Sequence, residues 1–212
     1  MTLVAFDFDG TLSDSEMTVL LGERKDVADE MADITERAMN DEISYAKSLR
    51  DRAALLEGLP ETRAEEAFDD VYLRPDAGTV IRELNEAGVT TAILTGGFER
   101  GVEVALEREG VSVDAIVANR LPVEDGKLTG EVEGPLIEGT KDDALERLAG
   151  EREIAMSDTI AVGDGANDLP MLEVAGLSIG FVPKSAVRPS CDIVVATMER
   201  LRDVFDEEGL LD

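Results

Sequence analysis

The sequence predicts an α/β fold, a Rossmann-like parallel sheet with helices on both faces, carrying a small inserted helical unit. Three observations lead there. Leu3-Val-Ala-Phe is a short apolar run that ends on Asp7 and Asp9, and it reads as a strand buried on both faces. From Pro75 onward, apolar strands alternate with amphipathic helices, the pattern of a parallel sheet with right-handed crossovers. Between these two parts, residues 13–74 hold apolar side chains at helical spacing and no clear strand.

In chain order, Val27, Met31, Ile34 and Ala38 mark a first inserted helix. Further helices are expected over Ile43–Glu57 and Glu61–Tyr72, broken by Gly58-Leu59-Pro60. Asp76–Ala87 is a helix stopped by Gly88, and Val89–Leu94 is a strand running into Thr95-Gly96-Gly97-Phe98. A helix over Glu99–Glu109 stops at Gly110, and Asp114–Ala118 is a strand. Asp125-Gly126 between alternating segments predicts a hairpin. Then come a helix from Lys141 to about Ala149 and a strand Thr159–Val162 feeding Gly163-Asp-Gly-Ala-Asn-Asp. A helix through Leu172, strands Leu177–Phe181 and Asp192–Val195, and a C-terminal helix complete the chain. The division predicted is a core of residues 1–12 and 75–212 with residues 13–74 inserted.

Composition narrows the function. The 212 residues suffice for one good core with a smaller attachment. Acidic residues number 48 against 20 basic, a net charge of −28, which argues against nucleic acid and anionic membrane as partners. Only five of the basic residues are lysine. An acidic, lysine-poor surface is that of a protein from a salt-saturated cytoplasm, so a halophilic source, an archaeon, is expected. One cysteine, Cys191, allows no internal disulfide, and no apolar run nears the roughly 20 residues of a membrane span. The N-terminus enters a strand at once without a basic leader, so no signal peptide is expected and the setting is cytoplasmic. There is no histidine. Acid–base chemistry must therefore use Asp, Glu, Lys or Tyr, and a metal must accept oxygen ligands, which favours Mg²⁺.

An extended backbone points Asp7 and Asp9 to the same side. Like charges at the mouth of an apolar strand repel and lose hydration, and a cation relieves both penalties. The pair reads as a metal site with one carboxylate free for chemistry; the alternative is a strand-end turn carrying solvated acids. Gly10 lets the chain turn away. In a parallel sheet ligands sit at the carboxyl ends of strands. Asp7, Asp9, Thr95, Gly96, Asp164, Asn167 and Asp168 all fall at such ends. Gly163-Asp-Gly-Ala-Asn-Asp fails as a dinucleotide fingerprint because Asp168 occupies the third glycine position, and no P-loop is present. An EF-hand from Asp7 fails at Leu12. Four carboxylates, one lysine, a hydroxyl and glycine-rich turns suit phosphoryl transfer through an aspartate nucleophile.

Asp7-Phe-Asp-Gly-Thr-Leu, Thr95-Gly-Gly, a lone Lys141 and Gly163-Asp-Gly-Ala-Asn-Asp resemble the four motifs of the haloacid dehalogenase superfamily. Leu94-Thr-Gly-Gly-Phe, Ala118-Asn-Arg-Leu and Glu124-Asp-Gly-Lys-Leu-Thr-Gly extend the resemblance to its phosphoserine phosphatase branch, over nearly the whole chain. The resemblance implies Asp7 as nucleophile and Asp9 as general acid and then base. It implies Mg²⁺ on Asp7, Asp164 and the Asp9 backbone carbonyl, with Asp168 supporting the metal and lysine. Thr95, Gly96 and Lys141 would bind phosphate, with Asn167 nearby. The inserted helices would be the family's cap, in which Glu16 holds the substrate amino group and Arg52 its carboxylate, with Met39 and Tyr45 lining the pocket. The implied activity is Mg²⁺-dependent hydrolysis of O-phosphoserine; a monomer or homodimer is expected. The alternative is a phosphatase or phosphotransferase acting on another small phosphate.

The family often has serine where Gly10 and Thr95 stand, and phenylalanine where Tyr45 stands. Each residue also has a plainer account. Thr95 can end a strand, Asp168 can be a helix N-terminal acid, and Arg52 can be a solvated helix charge. Met39 and Tyr45 can fill a core. Lys141 can be an exposed helix-start residue, although the helix dipole disfavours a cation there. By spacing alone, Ser13-Asp-Ser-Glu16 is a capping box, with Ser13 at the N-cap and Glu16 at N3.

Overall fold

The computed structural model describes residues 1–40, 42–138 and 140–211. Leu3–Phe6 forms β1, and all four residues are buried. Val4 and Phe6 enter one apolar cluster, Leu3 and Ala5 another. The two-residue period thus feeds both faces of the sheet, as a central parallel strand requires.

Strand β1 lies between β2 (Thr90–Phe98) and β6 (Thr159–Gly163), with Leu3 opposite Thr90 on one side and Thr159 on the other. With β3 (Ala115–Asn119), β7 (Leu177–Phe181) and β8 (Ile193–Val195), six strands among the described residues form a parallel sheet in the order β3-β2-β1-β6-β7-β8. The chain builds outward from β1 in one direction, then returns and builds outward in the other. The carboxyl ends of β1 and β6 therefore meet where the order reverses, the place at which open α/β sheets bind ligands.

Helices cover both faces. α5 (Ala77–Glu86), α6 (Glu99–Glu109) and α9 (Met198–Glu207) pack on the side of Val4 and Phe6, where Phe6 and Phe205 meet edge-on at 6.2 Å. α7 (Lys141–Glu151) and α8 (Leu169–Val174) pack on the side of Leu3 and Ala5. Asp125 and Gly126, both at positive φ, form the turn between β4 (Val123–Glu124) and β5 (Lys127–Leu128), as the hairpin signal predicts.

Among the described residues, four helices separate β1 from α5: α1 (Met17–Glu23), α2 (Ala28–Met39), α3 (Tyr45–Ala54) and α4 (Glu61–Phe68). α1 packs on α2 and α4, and α2 on α3. Met17, Leu21, Met31, Leu49 and Phe68 bury their side chains in the cluster that also holds Phe6. α3 is shorter than the expected 43–57. Its start is set by Ser44, whose hydroxyl accepts from the Lys47 N–H at 3.2 Å. α4 stops at Phe68, short of Tyr72. β2 runs longer than predicted, through Thr95-Gly96-Gly97 to Phe98, with its register against β3 slipping between Leu94 and Phe98. That slip frees the Thr95–Gly97 backbone from regular pairing while keeping it extended.

Candidate active site

Asp7 continues β1, its N–H donating to the Val162 carbonyl at 2.8 Å. Lys141 is the first residue of α7 and only 1% exposed. Its ammonium donates to Oδ1 of Asp7 and to Oδ1 of Asp168, each at 2.5 Å. The other oxygen of Asp168 accepts the N–H groups of Asp164 at 2.9 Å and Gly165 at 2.8 Å. Asp168 is thus fully engaged in holding Lys141 and the turn after β6.

Asp7, Asp164 and Asp168 offer carboxylate oxygens within 4.8 Å of one another. Burial, reinforced by the Asp168 charge, pushes the Asp7 carboxyl up to about 8, although Lys141 pulls it down. Burial alone would lower Lys141, but Asp168 and Asp7 outweigh it and hold the ammonium above its ordinary range. Asp164 is raised, first by burial, against the attraction of Lys184. Asp9 is raised well above the carboxylate range by burial, then by Glu16 and Asp7. Among the described residues, Oδ1 of Asp9 is the one buried side-chain polar atom with no hydrogen-bond partner. The three crowded carboxylates Asp7, Asp164 and Asp168, with no nitrogen or sulfur ligand among them, fit a hard metal ion. Asp7 and Asp164 retain ligating capacity, whereas Asp168 is committed to Lys141. The Asp9 carboxyl stands outside that group of three.

Gly10 adopts φ +86°, and a β-carbon there would stand 2.7 Å from Oδ1 of Asp164. Both the turn and the close approach therefore call for glycine. Thr95 is buried, and its hydroxyl accepts from the Gly97 N–H at 3.0 Å. The Thr95–Gly97 segment borders the acids, since a β-carbon on Gly97 would stand 2.7 Å from Oδ2 of Asp9. Asn167 folds its side chain over Gly165, where a β-carbon would meet its Oδ1 at 2.6 Å.

The inserted helices reach the same place. Glu16 directly precedes α1 and makes no side-chain cap bond. The capping-box alternative is therefore incorrect. The helix begins at Met17, and the Ser13 hydroxyl accepts from Ser15 N–H at 3.2 Å instead. Glu16 is exposed at the rim, and its carboxyl is raised by partial desolvation, against the pull of Lys184. Arg52 is half-buried; it donates to the Thr18 hydroxyl at 3.1 Å and lies in the field of Tyr45, Glu16 and Asp9. The Tyr45 hydroxyl lies against Gly96, where a β-carbon would be 1.8 Å away, and burial pushes its pKa up to about 12. Met39 does not join them: it is the last residue of α2 and is 68% exposed. The buried stripe of that helix centres on Met31, and Met39 has rotated out of it.

Four residues escaped the sequence reading. The Asn119 amide donates to the Gly96 carbonyl at 3.0 Å and its Oδ1 accepts from Leu136 N–H at 3.0 Å, which pins the end of β2. Arg74 donates to the carbonyls of Thr11 at 3.0 Å and Gly10 at 3.1 Å, fixing the turn after Asp9. Thr11 is fully buried and its hydroxyl donates to Asp164 at 3.5 Å. Lys184 pairs with Asp164 at 3.4 Å. The one available signal was position: Asn119 is the last residue of β3, and Lys184 lies in the loop that follows β7. A groove lined by Phe68, Phe98, Arg100 and Leu128, among others, holds none of the carboxylates described above.

Comparison with known proteins gives a consistent result. The family model described as haloacid dehalogenase-like hydrolase matches residues 4–173. The chain is 52% identical over 210 residues to a phosphoserine phosphatase of Halobacterium salinarum, a match covering 99% of this chain and all of that one. A solved structure of a substrate-bound phosphoserine phosphatase complex superposes with a TM-score of 0.89 at 37% identity, covering 97% of each chain. Another, a phospho-aspartyl intermediate analogue of phosphoserine phosphatase, gives 0.88 at 36% identity over 96% of this chain and 98% of that one.

Proposed function

The chain belongs to the haloacid dehalogenase-like hydrolase family, and from that premise we propose that it is a phosphoserine phosphatase, hydrolysing O-phospho-L-serine to serine and phosphate. One observation carries this reading. A carboxylate cluster built on a buried lysine faces a carboxylate and a guanidinium brought by the inserted helices. The first set suits a phosphate and its metal, the second an ammonium and a carboxylate, and phosphoserine presents all of these. Full-length similarity to phosphoserine phosphatases supports the same substrate.

In the proposed reaction Asp7 attacks phosphorus while Asp9, whose carboxyl burial raises above its ordinary range, gives a proton to the departing seryl oxygen. Asp9 then takes a proton from water, which attacks the aspartyl-phosphate and releases phosphate. Lys141 keeps Asp7 oriented and neutralises charge on the transferring group, together with Thr95 and the Gly96 backbone. Asn167 sits beside that cradle, and Tyr45 closes it from the helical side. Glu16 would take the substrate ammonium and Arg52 its carboxylate. Asp7, Asp164 and the Asp9 backbone carbonyl would hold Mg²⁺, positioned through Asp168. When bound, that ion supplies the positive charge that keeps Asp7 ionised and offsets charge on the phosphoryl oxygens.

The division into a core of residues 1–12 and 75–212 and a cap of residues 13–74 follows from the same reading. With it we propose a cytoplasmic monomer or homodimer. Among the described residues no helix is long and apolar enough to cross a membrane. The deciding experiment is phosphate release from O-phosphoserine, phosphothreonine, phosphoethanolamine, phosphoglycolate and sugar phosphates at high salt, with Mg²⁺ or chelator. Preference for phosphoserine, lost on chelation, is expected. A sugar phosphate as best substrate, or transfer to added homoserine in place of release, would overturn the assignment.

A further inference from the structure

Lys184 lies in the loop after β7. Two residues earlier, Val182 has φ +44°, a left-handed conformation that a β-branched residue holds only under tertiary constraint. It also precedes Pro183, which restricts it further. Val182 is 56% exposed, so packing of its own side chain does not account for the strain. The consequence of the turn lies at Lys184. Its N–H donates to the Asp164 carbonyl at 2.9 Å, and its carbonyl accepts from Val187 at 2.9 Å and Arg188 at 3.1 Å. The backbone is pinned while the side chain stays 54% exposed, its ammonium 3.4 Å from Oδ2 of Asp164. The ammonium sits over Gly165, where a β-carbon would be 3.6 Å from it, and within the field of Glu16.

Asp164 and Glu16 are the carboxylates to which the proposed function brings a metal ion and a substrate ammonium. We propose that Lys184 is a resident counter-ion, held by the strained Val182 turn, that stands in for these incoming cations in the free site and withdraws as they bind. The inference rests on the reading of Asp164 as a metal ligand. An ammonium this close to a carboxylate opposes a divalent ion arriving at the same oxygens. A lysine on a half-exposed stem can withdraw into solvent, which the buried Lys141 cannot. Lys184 is on this account a positioning residue that sets the electrostatic balance of the site before these cations bind and takes no part in the chemistry.

The test uses the full chain without substrate. Thermal unfolding is followed across a Mg²⁺ titration at constant molar KCl for wild type, Lys184→Met and Lys184→Arg. Lys184→Met should melt below wild type in chelator, yet reach half-maximal stabilisation at about tenfold lower Mg²⁺, a shift of about 1.4 kcal/mol in binding. Lys184→Arg should keep the wild-type midpoint. An unchanged or higher Mg²⁺ midpoint in Lys184→Met overturns the proposal, because Lys184 would then be inert or would be orienting Asp164 for the ion. No Mg²⁺ response in any of the three proteins overturns the metal-site reading itself, and the counter-ion with it.

Discussion

Lys141 donates to Oδ1 of Asp7 at 2.5 Å from the first turn of α7, the helix end at which a cation is least welcome. Asp168, on the ammonium's other side, and the acidic first-turn residues Asp142 and Asp143 offset that cost. Lys141→Met should therefore leave buried carboxylates uncompensated and cost about 3–5 kcal/mol. In a chain of this size that lowers Tm by roughly 6–20 °C. Calorimetry at fixed salt checks it; a change under 2 °C would show that Lys141 does not balance the cluster.

Asp7→Asn removes a charge and keeps the shape. Phosphate release should fall by about 10³-fold or more, because an amide is a poor nucleophile. The fold should persist, since Lys141 retains Asp168. Turnover within about tenfold of wild type would remove Asp7 from its role.

The raised Asp7 carboxyl has a consequence for stability. Its folded value, about 8, lies above its ordinary value of 3.8. A raised acid contributes stability that is complete below the unfolded pKa and lost as pH rises through the folded one. Metal-free protein should lose stability relative to Asp7→Asn between about pH 4 and pH 8, and the difference should level off above that. Saturating Mg²⁺ should shrink the difference. Parallel Tm–pH curves for the two chelated proteins would contradict the assigned shift.

Glu16 and Arg52 should separate on a substrate panel. Arg52→Ala should weaken phosphoserine by about ten- to a hundredfold in kcat/KM and barely affect phosphoethanolamine, which has no carboxylate. Glu16→Gln should impair both amine-bearing substrates and spare phosphoglycolate. Because Glu16 caps nothing through its side chain, Tm should move by less than about 0.5 kcal/mol equivalent. Uniform scaling of all substrates would refute the recognition roles.

A net charge of −28 makes self-repulsion a large term. The screening length grows from about 3 Å at 1 M salt to about 10 Å at 0.1 M. Dialysis from molar to 0.1 M salt should lower Tm by several degrees or more, and an unchanged Tm would remove the halophilic reading of the surface.

The strand that carries Asp7, the turns at Gly10 and Asp125-Gly126, the alternation that makes the sheet parallel, and the acids at its carboxyl edge were all legible in the chain of residues alone. These are properties of a few neighbouring residues: a period of two or 3.6, a left-handed backbone, a run of apolar side chains. Tertiary structure alone decided which acids are free and which are spent. Asp168 is consumed by Lys141, 27 residues away, and by the backbone of its own turn. Arg74 and Asn119 act on carbonyls that lie 64 and 23 residues from them, so no local pattern marks them. Met39 is exposed because helical rotation carried it off the buried stripe of α2, and Glu16 is free because α1 begins at Met17, three residues later than its capping pattern requires. Lys184 reaches Asp164 through a left-handed valine. The backbone propensity of valine forbids that conformation, and only contacts from the rest of the fold can impose it.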